Sequence, residues 1–166
     1  MPATILVMPK GFAFSSFGKL GENYAIIVIT SSGKLMKVNS GIVKKMMNGK
    51  NMCLYVTINQ PYERMVKLLK QDEINTSRIF FIDCITETSG GKAERVDNCL
   101  YLNSPSNLTE LSIAITHALQ AMSGSKFLFM DALSTLIIYN KQNSFARFSH
   151  FIMTRMKLLG LNGIFM

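Results

Sequence analysis

The chain has 166 residues, a length at which one domain can enclose a sizeable hydrophobic core, and we predict a single domain over residues 1–166. Apolar residues make up 48% of the sequence and charged residues 17%, which excludes an intrinsically disordered protein. No apolar run approaches the roughly 18 residues of a membrane span, and the first residues do not form a signal-peptide pattern. We therefore expect no membrane partner.

The net charge of +8 is unevenly distributed. Residues 1–50 carry seven lysines and one acid, residues 51–140 are nearly balanced, and residues 141–166 carry four bases and no acid. Two interpretations stay open. The basic ends are either a solvated surface or a surface that binds nucleic acid or an acidic protein partner.

The three cysteines favour reduced thiols over a metal site or a disulfide framework. Cys53, Cys84 and Cys99 form an odd count without the Cys-x-x-Cys spacing of a metal site. Cys53 and Cys84 lie inside apolar runs, where free cysteine is usually buried. This pattern predicts a cytoplasmic protein.

Predicted strands and helices alternate along the chain. A connector at 11–23 contains Phe12, Phe14 and Phe17, and a polar loop covers 86–98. The apolar runs predict strands at residues 3–8, 24–30, 52–58, 78–83, 99–102, 127–131 and from 163 onward, and helical spacing predicts helices at 34–47, 61–70, 107–122 and 144–159. The last strand ends in mid-element, which predicts a chain truncated at its C-terminus.

The alternation predicts an α/β fold, a three-layer structure with a mostly parallel sheet and helices on both faces. The four most apolar runs leave no polar face for solvent, so we expect them to be adjacent at the centre of the sheet. They are residues 24–30, 52–58, 78–83 and 127–131. In such folds ligands bind at the carboxyl ends of the strands.

The run from Tyr24 to Lys34 has the layout of a phosphate-binding loop without its motif. A buried strand leads into Ser31-Ser32-Gly33-Lys34, and a helix follows. The motif requires Gly-x-x-x-x-Gly-Lys followed by Ser or Thr. With Gly33-Lys34 in register, Val28 replaces the first glycine and Leu35 replaces the hydroxyl that binds magnesium.

Further along, the chain resembles the RecA-like ATPase superfamily, and within it the KaiC-like branch. Residues 54–58 followed by Asn59-Gln60-Pro61 are similar to its second strand, and residues 127–134 are similar to its Walker B strand, ending at Asp131. The resemblance covers residues 22–166. It implies a RecA-like P-loop NTPase fold with a degenerate Walker A turn.

The resemblance also implies which residues would bind a nucleotide. They are Ser31, Ser32, Gly33, Lys34 and Asp131, with ATP and magnesium as the cofactors if binding is retained. The family's catalytic glutamate follows the second strand, where this chain has Asn59 and Gln60. We therefore predict no catalytic residue, and we predict no metal site.

Three functions remain open. The first is a non-catalytic RecA/KaiC-like domain that acts as a regulatory or scaffolding module for a protein partner or in signalling. The others are a divergent nucleotide-binding ATPase and a basic nucleic-acid-binding module. RecA-like domains usually assemble side by side, so the resemblance also implies a homo-oligomer, for which Phe145, Phe148 and Phe151 are candidate contact residues together with the connector phenylalanines.

Overall fold

A computed structural model describes residues 4–7 and 23–166. The predicted connector with its three phenylalanines lies outside the described residues, apart from Asn23. The strands are β1 (Thr4–Val7), β2 (Ala25–Ile29), β3 (Met52–Thr57), β4 (Ile79–Asp83), β5 (Cys99–Tyr101), β6 (Lys126–Asp131) and β7 (Asn162–Phe165). The α-helices are α1 (Leu35–Met46), α2 (Tyr62–Gln71), α3 (Leu108–Ala121), α4 (Leu133–Tyr139) and α5 (Gln142–Leu158).

Within the described residues, these strands form one seven-stranded sheet in the order β1-β2-β7-β6-β3-β4-β5. Every neighbouring pair is parallel. A parallel strand must be reached by a crossover, which explains why helices separate most of the strands in sequence. The predicted α/β fold with a parallel sheet is confirmed.

The predicted order of the central strands is wrong in one respect. β6, β3 and β4 are adjacent as expected, but β7 separates β2 from β6. The register places Gly163 beside Ala25 on one side and beside Leu128 on the other. The strand itself was predicted from residue 163 onward, but no local pattern indicates that it enters the sheet between β2 and β6.

Helices pack on both faces of the sheet, which is compatible with the predicted three-layer arrangement. The core beneath α1 and α2 contains Ile42 and Leu69 together with Tyr55 and Phe129 of the sheet. The core on the opposite face joins α3, α4 and α5 to the other side chains of the same strands. Alternating side chains of each central strand therefore enter two separate cores, as a parallel sheet requires.

Several local predictions are confirmed. Asn107 caps α3, since its side-chain oxygen accepts the backbone N–H of Glu110 at 3.1 Å. Gly49 follows α1 with a φ of 81°, a left-handed conformation that favours glycine. The three cysteines are buried and free.

Two predictions near the last helices need correction. Helix α4 was not predicted, because Leu133 to Tyr139 contains too few residues to show a helical period. Phe148 is only 5% exposed and belongs to the core, so it is not available as an interface residue, whereas Phe151 is 46% exposed. In the part of the chain that the structure describes, no helix has both the length and the apolarity needed to span a bilayer.

Candidate functional site

The carboxyl ends of β2, β7, β6 and β3 meet at one edge of the sheet, and the predicted site residues lie there. The Gly33-Lys34 turn follows β2, Asp131 ends β6, and Asn59 comes just after β3. The structure thus brings the elements of the predicted site to the same edge. It does not bring all their side chains together.

Asp131 is fully buried, with an exposed fraction of 0%. The hydroxyl of Tyr55 donates to its Oδ2 at 3.0 Å, and the Nδ2 of Asn59 donates to its Oδ1 at 3.2 Å. Thr135 of α4 in turn donates its hydroxyl to the Oδ1 of Asn59. Both carboxylate oxygens are therefore engaged by a network that links β3, β6 and α4.

The pKa of Asp131 is raised above its ordinary value of 3.8. Burial is the main cause, because it penalises the charged form, while the hydrogen bonds from Tyr55 and Asn59 and the nearby Asn39 work in the opposite direction. Burial also raises the pKa of the Tyr55 phenol, and the negative charge of Asp131 adds to that rise. Burial therefore disfavours the charged forms of both groups.

Asn39 of α1 adds a second polar group on the same side of the sheet. The residue is fully buried and influences the pKa of both Asp131 and Tyr55. Even so, neither its Oδ1 nor its Nδ2 has a hydrogen-bond partner of ordinary geometry. Buried amides are usually satisfied by protein or by an ordered water, so this position has unused hydrogen-bonding capacity.

The Gly-Lys turn is a short 3₁₀ helix, Ser32–Lys34, closed by its own backbone. The N–H of Lys34 donates to the carbonyl of Ser31 at 2.9 Å, and the N–H of Leu35 donates to the carbonyl of Ser32. Lys34 is exposed, and its ammonium makes no hydrogen bond with the described residues. Two of the amides that a phosphate cradle would use are thus already bonded.

A cavity of about 560 Å³ opens at this edge of the sheet. Its walls come from the end of β2, the first turns of α4 and one face of α5, with Ala132 and Met166 between them. Ser32 and Asn59 line it, whereas Ser31, Gly33, Lys34 and Asp131 do not. Of the predicted nucleotide set, only Ser32 faces the cavity.

A second buried aspartate, Asp83, ends β4 and has a different environment. Its carboxylate accepts the backbone N–H of Tyr62 at 2.7 Å, of Ile85 at 2.8 Å and of Thr86 at 2.9 Å. The Thr86 hydroxyl adds a fourth bond at 2.5 Å. Tyr62 is the first residue of α2, so this carboxylate caps that helix where the helix dipole favours negative charge.

Sequence reasoning missed Tyr55, Asn39 and Thr135. Asn39 carried a detectable signal, because it lies four residues after Leu35 and three before Ile42, on the apolar face of the predicted helix. Tyr55 lies within an apolar strand, and its ring fits the apolar pattern of that strand. Only its hydroxyl departs from that pattern, so nothing in the sequence singled it out. Thr135 lies in a helix that had not been predicted.

No protein-family model matches the chain, and a search of curated proteins gives no significant match.

Proposed function

We propose that this protein is a non-catalytic RecA/KaiC-like domain that acts by binding, as a regulatory or scaffolding module. The observation that carries the proposal is the state of Asp131. A Walker B aspartate has to offer its carboxylate to a hydrated magnesium ion. Here the equivalent carboxylate has no exposed surface, and both its oxygens accept hydrogen bonds from Tyr55 and Asn59.

The surrounding residues do not fit ATP and magnesium. Phosphate recognition at a helix start depends on free backbone N–H groups and a nearby cation. The amides of Lys34 and Leu35 are bonded within the turn, and among the residues that the structure describes no lysine or arginine lines the cavity. Leu35 itself lines the cavity at the place where the motif requires a hydroxyl.

The position of the family's water-orienting base holds an amide instead of a carboxylate. Asn59 lies at the position of the family's catalytic glutamate, but its amide donates to Asp131 and accepts from Thr135. An amide cannot take a proton from an attacking water. Gln60 follows it, and its backbone carbonyl accepts the hydroxyl of Thr57 at 2.5 Å. These contacts support a structural role for the segment after β3.

A steady-state ATPase assay with magnesium tests the proposal. We expect turnover at background and no rise in melting temperature with ATP, because a ligand stabilises a fold only if it binds the folded state. Turnover of about 1 s⁻¹, the low end for phosphoryl-transfer enzymes, would contradict the proposal. A Lys34→Ala variant is the control, since any genuine turnover at this turn would be lost with that ammonium.

A further inference from the structure

The cavity at the sheet edge differs in chemistry from a nucleotide site. Most of its wall is apolar, from Ile27 and Ile29 of β2, Ile137 of α4, and Phe145 and Met153 of α5. Its volume of about 560 Å³ lies within the range of small-molecule sites, which are usually apolar with a few polar groups that fix orientation. It therefore has both the size and the lining of a ligand pocket.

None of the described residues that line the cavity is charged. The polar residues of the wall are Thr30, Ser32, Asn59, Ser134, Thr135 and Ser149. Asn59 uses one N–H for Asp131, which leaves its second N–H, and the Thr135 oxygen can still accept a bond. A charged ligand would lose its hydration here without gaining a counter-ion. The lining thus matches a neutral molecule.

We propose that this cavity binds a neutral, largely apolar small molecule whose single hydrogen-bonding group faces Asn59 and Thr135. The inference deepens the proposed function by naming the ligand class of the binding module, and it rests on that proposed function, in which this edge of the sheet binds no nucleotide. A concave volume with walls from the sheet, α4 and α5 favours a small molecule over a second copy of the chain.

Helix α4 supplies a matched pair of variants. Ile137 lines the cavity and is 52% exposed, whereas its neighbour Ile138 is 80% exposed and does not line it. Both side chains tolerate a charge without loss of the core, because both already reach solvent. Ile137→Glu therefore places a carboxylate at the cavity, and Ile138→Glu places the same charge on the same helix outside it.

The probe is N-phenyl-1-naphthylamine, a neutral molecule with two apolar ring systems and one N–H, whose fluorescence rises in apolar surroundings. We expect saturable binding to the wild type with one site per chain. Ile137→Glu should weaken that binding by about tenfold or more, while Ile138→Glu should stay within about twofold. Circular dichroism and melting curves check that both variants fold.

Three outcomes would overturn the inference. The first two are no saturable binding of the probe to the wild type and an equal effect of Ile137→Glu and Ile138→Glu on probe binding. The third is probe binding that weakens as protein concentration rises, because that would mean that a second copy of the chain fills the cavity. A Ser134→Trp variant gives an independent measurement, since Ser134 is exposed and lines the cavity, so the larger side chain should also reduce binding. The proposed function is tested separately by the ATPase assay, which does not depend on this probe.

Discussion

The two buried aspartates at strand ends are expected to respond in opposite ways to the same substitution. Asp83 and Asp131 are both 0% exposed. Asp83 accepts three backbone N–H groups and a hydroxyl, whereas Asp131 accepts one phenol and one side-chain amide. Changing each to asparagine removes the charge and one acceptor while keeping the shape.

In Asp83→Asn, the new NH₂ group faces the N–H of Tyr62, which then has no acceptor. An unsatisfied buried donor costs about 1–3 kcal/mol, and loss of the charge at the start of α2 costs about 0.3–1 kcal/mol more. The remaining bonds to Ile85 and Thr86 also weaken, because their acceptor becomes neutral. We expect the free energy of unfolding to fall by about 2–4 kcal/mol.

In Asp131→Asn, the bonds can be kept. Asn59 still donates to the side-chain oxygen, and the Tyr55 oxygen can accept from the new NH₂ group. The Tyr55 O–H can then turn to the nearby Asn39 Oδ1, which has no other partner among the described residues. The substitution also removes a buried carboxyl group whose charged form burial disfavours. We expect the free energy of unfolding at pH 7 to stay within about 1 kcal/mol of the wild type or to rise.

The pH dependence of the free energy of unfolding provides a second test of the comparison between Asp131→Asn and the wild type. Because the pKa of Asp131 is raised in the folded state, that state binds more protons than the unfolded chain above pH 3.8. Stability then falls as pH rises from 3.8 through the folded pKa, and the Asp131 contribution is most favourable below that window. The stability of Asp131→Asn relative to the wild type should therefore rise with pH from 3.8 through the folded pKa and stay constant above it.

Urea unfolding followed by circular dichroism measures all three proteins, and equal slopes against urea confirm that the same transition is compared. The reasoning is refuted if Asp131→Asn loses more stability than Asp83→Asn at pH 7. That result would mean that the carboxylate of Asp131 organises the sheet edge through its charge.

Two further predictions concern a helix end and self-association. Arg78 donates to the carbonyls of Met47 at 3.0 Å and Asn51 at 3.4 Å, and also to that of Gly49. Arg78→Ala should therefore lower the free energy of unfolding by about 1–3 kcal/mol. Urea unfolding measures this, and Arg64→Ala, which removes an exposed arginine, is the control. The protein should self-associate more strongly as ionic strength rises, because salt screens the net charge of +8. Light scattering at two salt concentrations measures the mass of the protein in solution. A monomer mass at tens of micromolar protein in both buffers contradicts the prediction.

Most strands and helices could be predicted because their signals are local. The runs at β3, β4 and β6 are apolar throughout, and α3 begins at a capping residue that the sequence shows directly. Helix α4 could not be predicted, since Leu133 to Tyr139 is short and contains the β-branched residues of a strand.

The site was less predictable than the fold because its contacts are distant in sequence. Asp131 was identified as a strand-end aspartate, but its partner Tyr55 lies 76 residues earlier. Such a pairing depends on which strands become neighbours, and no local pattern encodes that. The cavity could not be predicted for the same reason. Its walls come from β2, α4 and α5, and they exist only after these elements have packed together.

The central position of β7 also determines when the sheet can be completed. Residues 162–165 come last of the seven strands in synthesis, yet they lie between β2 and β6. Until they emerge from the ribosome, β2 has no partner on that side, and the group formed by β6, β3, β4 and β5 has an open edge. Unpaired edges of apolar strands invite pairing with other chains. The nascent chain is therefore most prone to aggregate just before β7 closes the sheet, and a chaperone bound at that stage would protect it.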